Sequence, residues 1–183
     1  MEHVTRAVHL ATIDSVDPHE LAAVAARTFP LACPPSIALQ NVASFIATNL
    51  SAERFAAYLT DPQRAILTAQ HDGRIVGYAM LVDGVDDDPD VARAVEIRPA
   101  AELSKMYVLP DYHGGGWSAT LMERALGTAA EWGIRCVWLG VNRENRRAQR
   151  FYTKNGFRIT GTRTFQVGDD LREHDYVMIR ELS

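Results

Sequence analysis

Residues 101–123 read AELSKMYVLPDYHGGGWSATLME, and the interpretation of the whole chain depends on this stretch. Its first part, Leu103–Leu109, is an apolar run typical of a buried strand. A turn with Pro110 follows, and then three consecutive glycines at positions 114–116. After the glycines, apolar residues recur at helical spacing, which predicts a helix that Gly133 ends as a C-terminal cap. The stretch therefore predicts a strand, a glycine-rich turn and a helix.

This order of elements presents unpaired backbone N–H groups to an anion. The first amides of a helix have no intrahelical partner, and the helix dipole places partial positive charge there. Glycines let a phosphate approach the backbone closely and adopt positive φ at little cost. We therefore predict that a pyrophosphate binds to His113, Gly114, Gly115, Gly116, Trp117 and Ser118. A flexible turn without a ligand is the alternative for the glycines alone.

The same glycines also match the dinucleotide-binding fingerprint G-x-G-x-x-G/A, as Gly114-x-Gly116-x-x-Ala119. That fingerprint follows its strand directly and has an acidic residue about 20 positions further on. Here residues 110–113 intervene, and Ile134 occupies the acidic position. The sequence therefore disfavours a dinucleotide-binding fold.

Composition and charge are those of an ordinary globular protein, and we expect one domain over residues 1–183. The formal net charge of −4 gives no basic footprint, so we expect no nucleic-acid partner, and a cationic ligand is favoured. Cys33 and Cys136 lie far apart without metal-ligand spacing, which indicates a reducing compartment and no metal site. We see neither a signal peptide nor a membrane span, so we predict a cytoplasmic protein without a membrane partner.

Apolar runs and alternating patterns predict further strands. With the strand already described, they are Val4–Leu10, Ala65–Gln70, Ile75–Val82, Arg135–Val141, Phe157–Val167 and His174–Ile179. The last two are separated by a turn at residues 168–170. Asp72-Gly73 between two apolar runs predicts a hairpin. The strand, helix and strand between residues 103 and 141 form a βαβ crossover, which predicts parallel pairing in a mixed α/β sheet.

Capping residues and helical spacing predict helices before and after this unit. They are a helix from Asp17-Pro18 to about Arg27, one capped by Ser36 and running to about Asn49, Ala52–Leu59 capped by Ser51, and Asn145–Asn155. The proline-containing segment Thr28–Pro35 is predicted as a loop. The early helices either enclose a substrate pocket or only cover the sheet. The five aspartates within residues 83–90 predict a solvated loop, and a rim that attracts a polycation is the alternative.

A second group of residues with chemical potential lies in residues 142–157, which read NRENRRAQRFYTKNGF. At about 100° per residue, Asn145, Ala148 and Tyr152 fall on one face of a helix, while Phe151 turns toward a neighbouring face. An amide and a phenol two turns apart could line the same side of an extended ligand. Taken alone, Phe151-Tyr152 is more typical of a hydrophobic core than of a catalytic site.

Together, YVLPDYHGGGWSATLM and LGVNRENRRAQRFYTKNGF resemble the GNAT superfamily of acetyl-CoA-dependent N-acyltransferases. The first signature of that family is V-x-P-x-x-[QR]-x-x-G-x-[GA], and the second is N-x-x-A-x-x-F-Y-x-x-x-G-F. Residues 145–157 match the second throughout. In the first, His113 replaces Gln or Arg, and Ser118 replaces Gly or Ala. Serine is small and keeps its N–H, so we still expect phosphate binding, with His113 pointing away from the phosphates or assisting them weakly.

The resemblance implies a single GNAT-type domain of the α+β kind, with a mixed central sheet, splayed parallel strands and flanking helices. Acetyl-CoA is implied as the co-substrate, without a metal. Main-chain groups of Met106, Tyr107 and Val108 are expected to hold the pantetheine arm beside the splayed strand. Asn145 and Tyr152 are expected to complete the cofactor site.

The implied chemistry is the attack of a neutral primary amine on a thioester carbonyl. The resemblance assigns Tyr152 as the general acid for the coenzyme sulfur. It also favours Glu102 as the base, eleven positions before His113, on a face shared by alternation with residues 104, 106 and 108. Water in the cleft is the alternative proton acceptor, and Tyr107 and Glu96 are weaker candidates.

A narrower likeness connects the chain with the Pai-type bacterial polyamine N-acetyltransferases. It depends on TFPLACPPS at residues 28–36, on AELSKMYVLPDYHGGG, and on the ending TGTRTFQVGDDLREHDYVMIREL. It implies a small cationic acceptor, with polyamines first. A protein N-terminal or lysine acetyltransferase and a non-catalytic acyl-CoA-binding regulator remain alternatives, although a retained Tyr152 argues against the regulator. The sequence leaves open whether the chain forms a homodimer.

Overall fold

The computed structural model describes residues 7–166 and 172–183, and in this part of the chain a seven-stranded sheet has the order β1-β2-β3-β4-β5-β7-β6. The strands are β1 Ala7–Leu10, β2 Arg64–His71, β3 Arg74–Asp83, β4 Ala100–Val108, β5 Cys136–Asn142, β6 Arg158–Gln166 and β7 Arg172–Glu181. The helices are α1 Pro18–Ala32, α2 Leu39–Asn49, α3 Ala52–Thr60, α4 Pro89–Ala94, α5 Trp117–Glu131 and α6 Arg146–Lys154. The predicted mixed sheet flanked by helices is confirmed.

Neighbouring strands are antiparallel except for β4 and β5, which pair in parallel over three residues only. These residues are Ala100–Glu102, opposite Cys136–Trp138. On its other edge, β4 stays paired with β3 as far as Val108. The two parallel strands therefore splay beyond Glu102, as the resemblance implied, and main-chain groups on one edge of β4 are left for another partner.

Apolar side chains cover both faces of the sheet. On one face, α5 contributes Leu121, Met122, Ala125 and Ala129 to the core. On the other face, α1, α2 and α3 pack through residues such as Leu21, Val42 and Phe55. The sheet, with the gap between β4 and β5, is thus enclosed between α5 and the three early helices.

Two local predictions are confirmed by backbone conformation. The β2–β3 hairpin turns at Asp72 and Gly73, both with positive φ (51° and 77°), as a two-residue type I′ turn requires. Gly116 precedes α5 in the left-handed region with φ 82° and provides no side-chain cap. The first amides of α5 therefore have no partner within the helix. This is what the sequence analysis predicted for the helix after the glycines.

The predicted boundaries of the first two helices were wrong. Helix α1 continues past Arg27 to Ala32 and includes Pro30, because Phe29 is buried and stacks on Phe45 of α2 with ring centroids 4.6 Å apart. Most of the predicted loop at residues 28–35 is therefore helical.

Ser36 does not cap α2. The Ile37 N–H donates to the Pro34 carbonyl in a turn, and α2 begins only at Leu39, with Ala38 in the capping position. The Ser36 hydroxyl instead lies 3.4 Å from Glu173 Oε1 on β7.

The acidic loop is shorter than predicted, because its last residues belong to α4, which occupies residues 89–94. Asp88 caps this helix by accepting a hydrogen bond from the Asp90 N–H at 2.9 Å, and Pro89 occupies the first helical position. Asp-Pro is an ordinary helix start, and the density of aspartates concealed it in the sequence. The predicted turn at residues 168–170 and the first three residues of Val4–Leu10 lie outside the described residues.

A β-bulge in β4 changes which residues share a face. Leu81 of β3 pairs with Leu103, but Met80 pairs with Lys105, so Ser104 is the extra residue. The increased local twist at such a bulge helps β4 to leave β5.

The bulge makes one prediction wrong, namely that residues 102, 104, 106 and 108 share a face. Leu103 before the bulge and Met106 and Val108 after it pack with the cluster of α5. Tyr107 packs with the cluster of the early helices. Glu102 alternates with Leu103, so it lies on the face of Tyr107 and not on that of Val108.

No helix within the described ranges is both long enough and apolar enough to span a lipid bilayer.

Candidate active site

A cleft of about 440 Å³ opens where β4 and β5 separate. Strands β4, β5 and β7, helices α1 and α6, and the glycine-rich turn all contribute residues to its lining. The predicted site residues that line it are Glu102, Met106, Tyr107, Val108, His113, Gly114, Ser118, Asn145 and Tyr152. Gly115, Gly116 and Trp117 lie just outside its lining.

The glycine-rich turn is open toward the cleft at Gly114. This residue has φ 80°, and a Cβ built on it would meet no atom within 4 Å. Ser118, in the first turn of α5, lines the cleft beside it. Backbone N–H groups and empty space therefore coincide here, as an anion site requires.

Trp117 faces the core. Its side chain is buried and lies edge-on to Tyr112 and His71, at centroid distances of 6.2 and 6.1 Å. A Cβ on Gly115 would lie 3.1 Å from the Trp117 ring, so this glycine makes room for the indole. Trp117 could serve an anion only through its backbone N–H.

The His113 side chain bonds to protein groups on both sides. Its Nε2 lies 2.7 Å from the Val108 carbonyl oxygen, and its Nδ1 lies 3.2 Å from Arg147 Nη2. A guanidinium can only donate, so Nδ1 accepts and Nε2 donates to Val108. The sequence reasoning missed Arg147, which also lines the cleft.

Main-chain groups of β4 alternate between β3 and the gap. The Leu109 N–H donates to the Val76 carbonyl on β3, so by alternation the N–H and carbonyl groups of Tyr107 also face β3. Those of Met106 and Val108 face the gap. Since His113 occupies the Val108 carbonyl, the groups left for a ligand are the Met106 main chain and the Val108 N–H.

Asn145 has a structural task in α6. Its side-chain oxygen caps the helix by accepting from the Ala148 N–H at 3.1 Å. This bond orients the first turn of α6 toward the cleft, where both residues are found.

Tyr152 presents a protonated phenol to the cleft. Burial raises its pKa to about 12, so the hydroxyl keeps its proton at neutral pH. Its ring is held edge-on by Phe151 and Phe157, at centroid distances of 5.5 and 5.8 Å. Among the described residues, its hydroxyl has no hydrogen-bond partner and could donate to a ligand.

The candidate bases differ in environment. Burial raises the pKa of the Glu102 carboxyl, an effect that Arg163 and Lys105 oppose. Burial likewise raises the pKa of Tyr107, with a further contribution from Tyr152. Glu96 is exposed and does not line the cleft. A buried carboxylate with increased proton affinity suits a general base better than the other two groups.

Two more carboxylates line the cleft, and the sequence reasoning missed both. Asp175 is ion-paired with Arg163, with Oδ2 and Nε 3.3 Å apart, and both side chains are largely buried. Arg163 passes over Gly140 of β5, where an added Cβ would lie 2.7 Å from its Nε. Glu173 accepts hydrogen bonds from Ser36 and from Asn142 Nδ2, the latter at 3.2 Å. The sequence pattern that could have indicated them is the pair of acidic residues two positions apart, Glu173 and Asp175, just before the apolar run of the last strand.

Another part of the cleft lining is apolar. It is formed by the end of α1 and by α2 with its flanking residues, through Phe29, Cys33, Ile37, Phe45 and Leu50. The early helices thus do more than cover the sheet. None of the aspartates between residues 83 and 90 lines the cleft.

Comparisons with known proteins indicate the family of the chain. The acetyltransferase (GNAT) family model matches residues 33–157. The chain is 63% identical over 166 residues to an uncharacterized N-acetyltransferase of Mycobacterium tuberculosis, covering 91% of this chain and 98% of that protein. The PaiA N-acetyltransferase of Thermoplasma acidophilum, solved in complex with coenzyme A, has a TM-score of 0.75 at 22% identity, with 97% and 99% coverage. The ribosomal-protein-S18-alanine N-acetyltransferase of Escherichia coli has a TM-score of 0.67 at 18% identity, with 98% and 95% coverage.

The chain therefore belongs to the acetyltransferase (GNAT) family, as its two signatures predicted. It is an N-acetyltransferase that uses acetyl-CoA, and both of these predictions are confirmed. The two solved structures share the fold at low identity, and the name of the mycobacterial relative gives no acceptor. The narrower Pai-type likeness, the cytoplasmic location and the roles of individual residues stay predictions.

Proposed function

We propose that the chain, acting as one domain, transfers the acetyl group of acetyl-CoA to a primary amine of a small cationic molecule, with polyamines favoured. The observation that carries this proposal is the composition of the cleft. Its lining combines the glycine-rich turn at Gly114, the Tyr152 phenol and the Glu173 carboxylate. The three groups suit a diphosphate, a thioester sulfur and an ammonium group, respectively.

On the donor side, coenzyme A would place its diphosphate against residues 113–118 and its pantetheine arm along the free edge of β4. The Met106 main chain and the Val108 N–H are the groups free to bond it. An N–H here would also polarise the thioester carbonyl, which stabilises the oxyanion that forms during attack. The role proposed for Tyr107 is therefore one of its side chain in the cleft, because its main chain faces β3.

In the reaction, the amine nitrogen bonds to the carbonyl carbon of the thioester, and the C–S bond breaks. Glu102, directly or through water, takes the proton that the amine loses. Tyr152 donates its proton to the departing sulfur and regains one from solvent. Holding both substrates in one cleft supplies much of the remaining rate enhancement.

Glu173 supports a cationic acceptor. Of the three carboxylates that line the cleft, Asp175 has Arg163 as its ion-pair partner, and Glu102 lies near both Arg163 and Lys105. In the described ranges, Glu173 accepts only from the neutral donors Ser36 and Asn142. An ammonium group could replace these donors and bring the one positive charge that this carboxylate lacks.

We expect Glu173→Gln to raise KM for spermidine about 10-fold, because an amide cannot pair with a second ammonium group. KM for a monoamine of similar length should change less than about twofold. Steady-state kinetics with both amines measure the difference. Asp87→Asn is the matched control, since it removes one negative charge from the exposed acidic segment outside the cleft. Equal effects of the two variants would mean that the acidic segment attracts the polyamine and Glu173 does not bind it.

Glu102→Gln tests the proposed base through pH. Burial raises the pKa of Glu102, and a protonated carboxyl cannot accept a proton, so wild-type kcat should fall as the pH drops through this raised value. The variant should lose about 100-fold in kcat near neutral pH. The fall in kcat at low pH that comes from the enzyme is the same for amines of different basicity. This fall should disappear in the variant. The exposed Glu96→Gln is the control, and an unchanged acid limb in Glu102→Gln would assign the proton to water.

The acceptor class itself is tested by a turnover screen with acetyl-CoA. The screen should compare spermidine, spermine, aminoglycosides and peptides with a free N-terminal or lysine amine. We expect the polyamines to give the highest kcat/KM. A 100-fold preference for peptide amines would replace this proposal with protein acetylation.

A further inference from the structure

Arg147 stands at an electrostatically unfavourable position of α6. It is the second residue of the helix, directly after Arg146, and the first turn contains no acidic residue. The helix dipole places partial positive charge at this end, so cations are disfavoured there. In the described ranges, Arg147 has no ion-pair partner among the acidic side chains. An anion brought by a ligand would remove this imbalance.

The direction of Arg147 is fixed by His113. Nη2 of the guanidinium donates to His113 Nδ1 at 3.2 Å, and His113 is anchored in turn by the Val108 carbonyl at 2.7 Å. The end of β4, the glycine-rich turn and α6 are thus connected by two hydrogen bonds. A guanidinium has five N–H donors, and this arrangement uses one of them. The others remain for a group in the cleft, which Arg147 lines together with Gly114 and Ser118.

We propose that Arg147, oriented by His113, binds the diphosphate of coenzyme A from the α6 side, opposite the backbone N–H groups of the glycine-rich turn. The positive charge that the turn lacks at position 113 then comes from a residue 34 positions away. The His113 ring is a positioning group, because its two nitrogens contact Arg147 and the Val108 carbonyl. This proposal rests on the diphosphate site proposed above.

Binding of the diphosphate by Arg147 would also affect the position of the thioester relative to Tyr152. Tyr152 lies on α6 five residues after Arg147, and both line the cleft. A diphosphate held between Arg147 and the N-terminus of α5 would join the two helices across the splayed strands. Binding of the far end of the coenzyme would then fix the distance between the thioester and the Tyr152 phenol.

The test compares Arg147→Ala with Arg146→Ala, which removes the same charge from the adjacent residue outside the cleft. Each variant is assayed with acetyl-CoA and with S-acetylpantetheine, a donor without the diphosphate. We expect Arg147→Ala to lower kcat/KM for acetyl-CoA about 10- to 100-fold, and that for S-acetylpantetheine less than about threefold. Arg146→Ala should change both less than about threefold. Calorimetric titration with coenzyme A gives the same comparison as a Kd, even where turnover of the short donor is slow.

His113 is tested in the same assays. His113→Gln keeps a donor for Val108 and an acceptor for Arg147, so it should retain most of the affinity for coenzyme A, whereas His113→Phe should behave like Arg147→Ala. Equal effects of the two arginine variants, or equal losses with both donors, would overturn the proposal. Should Gly114→Asp leave coenzyme A binding unchanged, the diphosphate site itself would be misplaced. If Gly114→Asp lost coenzyme A binding and Arg147→Ala did not, the diphosphate site would stand and only the role of Arg147 would be overturned.

Discussion

An aspartate at position 114 is expected to abolish the binding of acetyl-CoA, while an asparagine at the same position largely preserves it. Gly114 has φ 80°, a conformation that Asn and Asp tolerate better than most residues, and its Cβ direction is open. The two variants therefore have almost the same shape and strain. Only aspartate sets a negative charge against the diphosphate, a repulsion that should raise Kd at least about 100-fold relative to asparagine.

Isothermal titration of both variants with coenzyme A measures this difference, and thermal unfolding verifies that their stabilities match. S-acetylpantetheine should be used by both variants at similar rates, because it has no phosphate to repel. If the aspartate variant bound coenzyme A as tightly as the asparagine variant, the diphosphate would have to lie elsewhere. The assignment of the glycine-rich turn would then be wrong.

The fold could be predicted because its decisive signals are local. The Asp72-Gly73 turn, the glycines before α5 and the apolar runs on either side each constrain a few adjacent residues. The spacing between β4 and β5 leaves room for one crossover helix, which requires a parallel pair. Residues 145–157 also matched a family signature, which implied the same fold.

The bulge at Ser104 could not be predicted in this way. A bulge is a property of the pairing between two strands, and the sequence of β4 alone is compatible with unbroken alternation. The bulge affects the candidate active site, because it places Glu102 on the face of Tyr107. Predictions of side-chain direction from alternation are therefore reliable only up to the first register shift.

Contacts between distant segments account for the other omissions. Arg163 lines the cleft because Gly140 of another strand leaves space for its guanidinium. Glu173 accepts a hydrogen bond from Ser36, a residue 137 positions away that the sequence reasoning had used as a helix cap. The side chains proposed to bind the acceptor depend mainly on such pairs. Most of the residues proposed to hold coenzyme A lie in two short segments, 106–118 and 145–152, which is why more of them could be found.

Replacing Tyr152 by phenylalanine is expected to lower kcat about 100- to 1,000-fold while the Kd for coenzyme A changes less than about twofold. The phenol is held by Phe151 and Phe157 through its ring, so phenylalanine should keep the packing and lose only the hydroxyl. Without that O–H, the sulfur must leave as a thiolate with no proton donor beside it. Single-turnover acetyl transfer and calorimetric titration measure the two quantities separately.

The pH dependence of the wild-type enzyme gives a second readout of the same role. Burial raises the pKa of Tyr152 to about 12, so the donor form persists through the whole range in which the enzyme can be assayed. Within that range, no basic limb of kcat should therefore arise from Tyr152. Tyr176→Phe, outside the cleft, is the matched control and should leave kcat nearly unchanged. Equal changes in kcat and in coenzyme A affinity for Tyr152→Phe would show that the hydroxyl binds the donor without acting as the acid, because a proton donor to the leaving sulfur acts only as the C–S bond breaks.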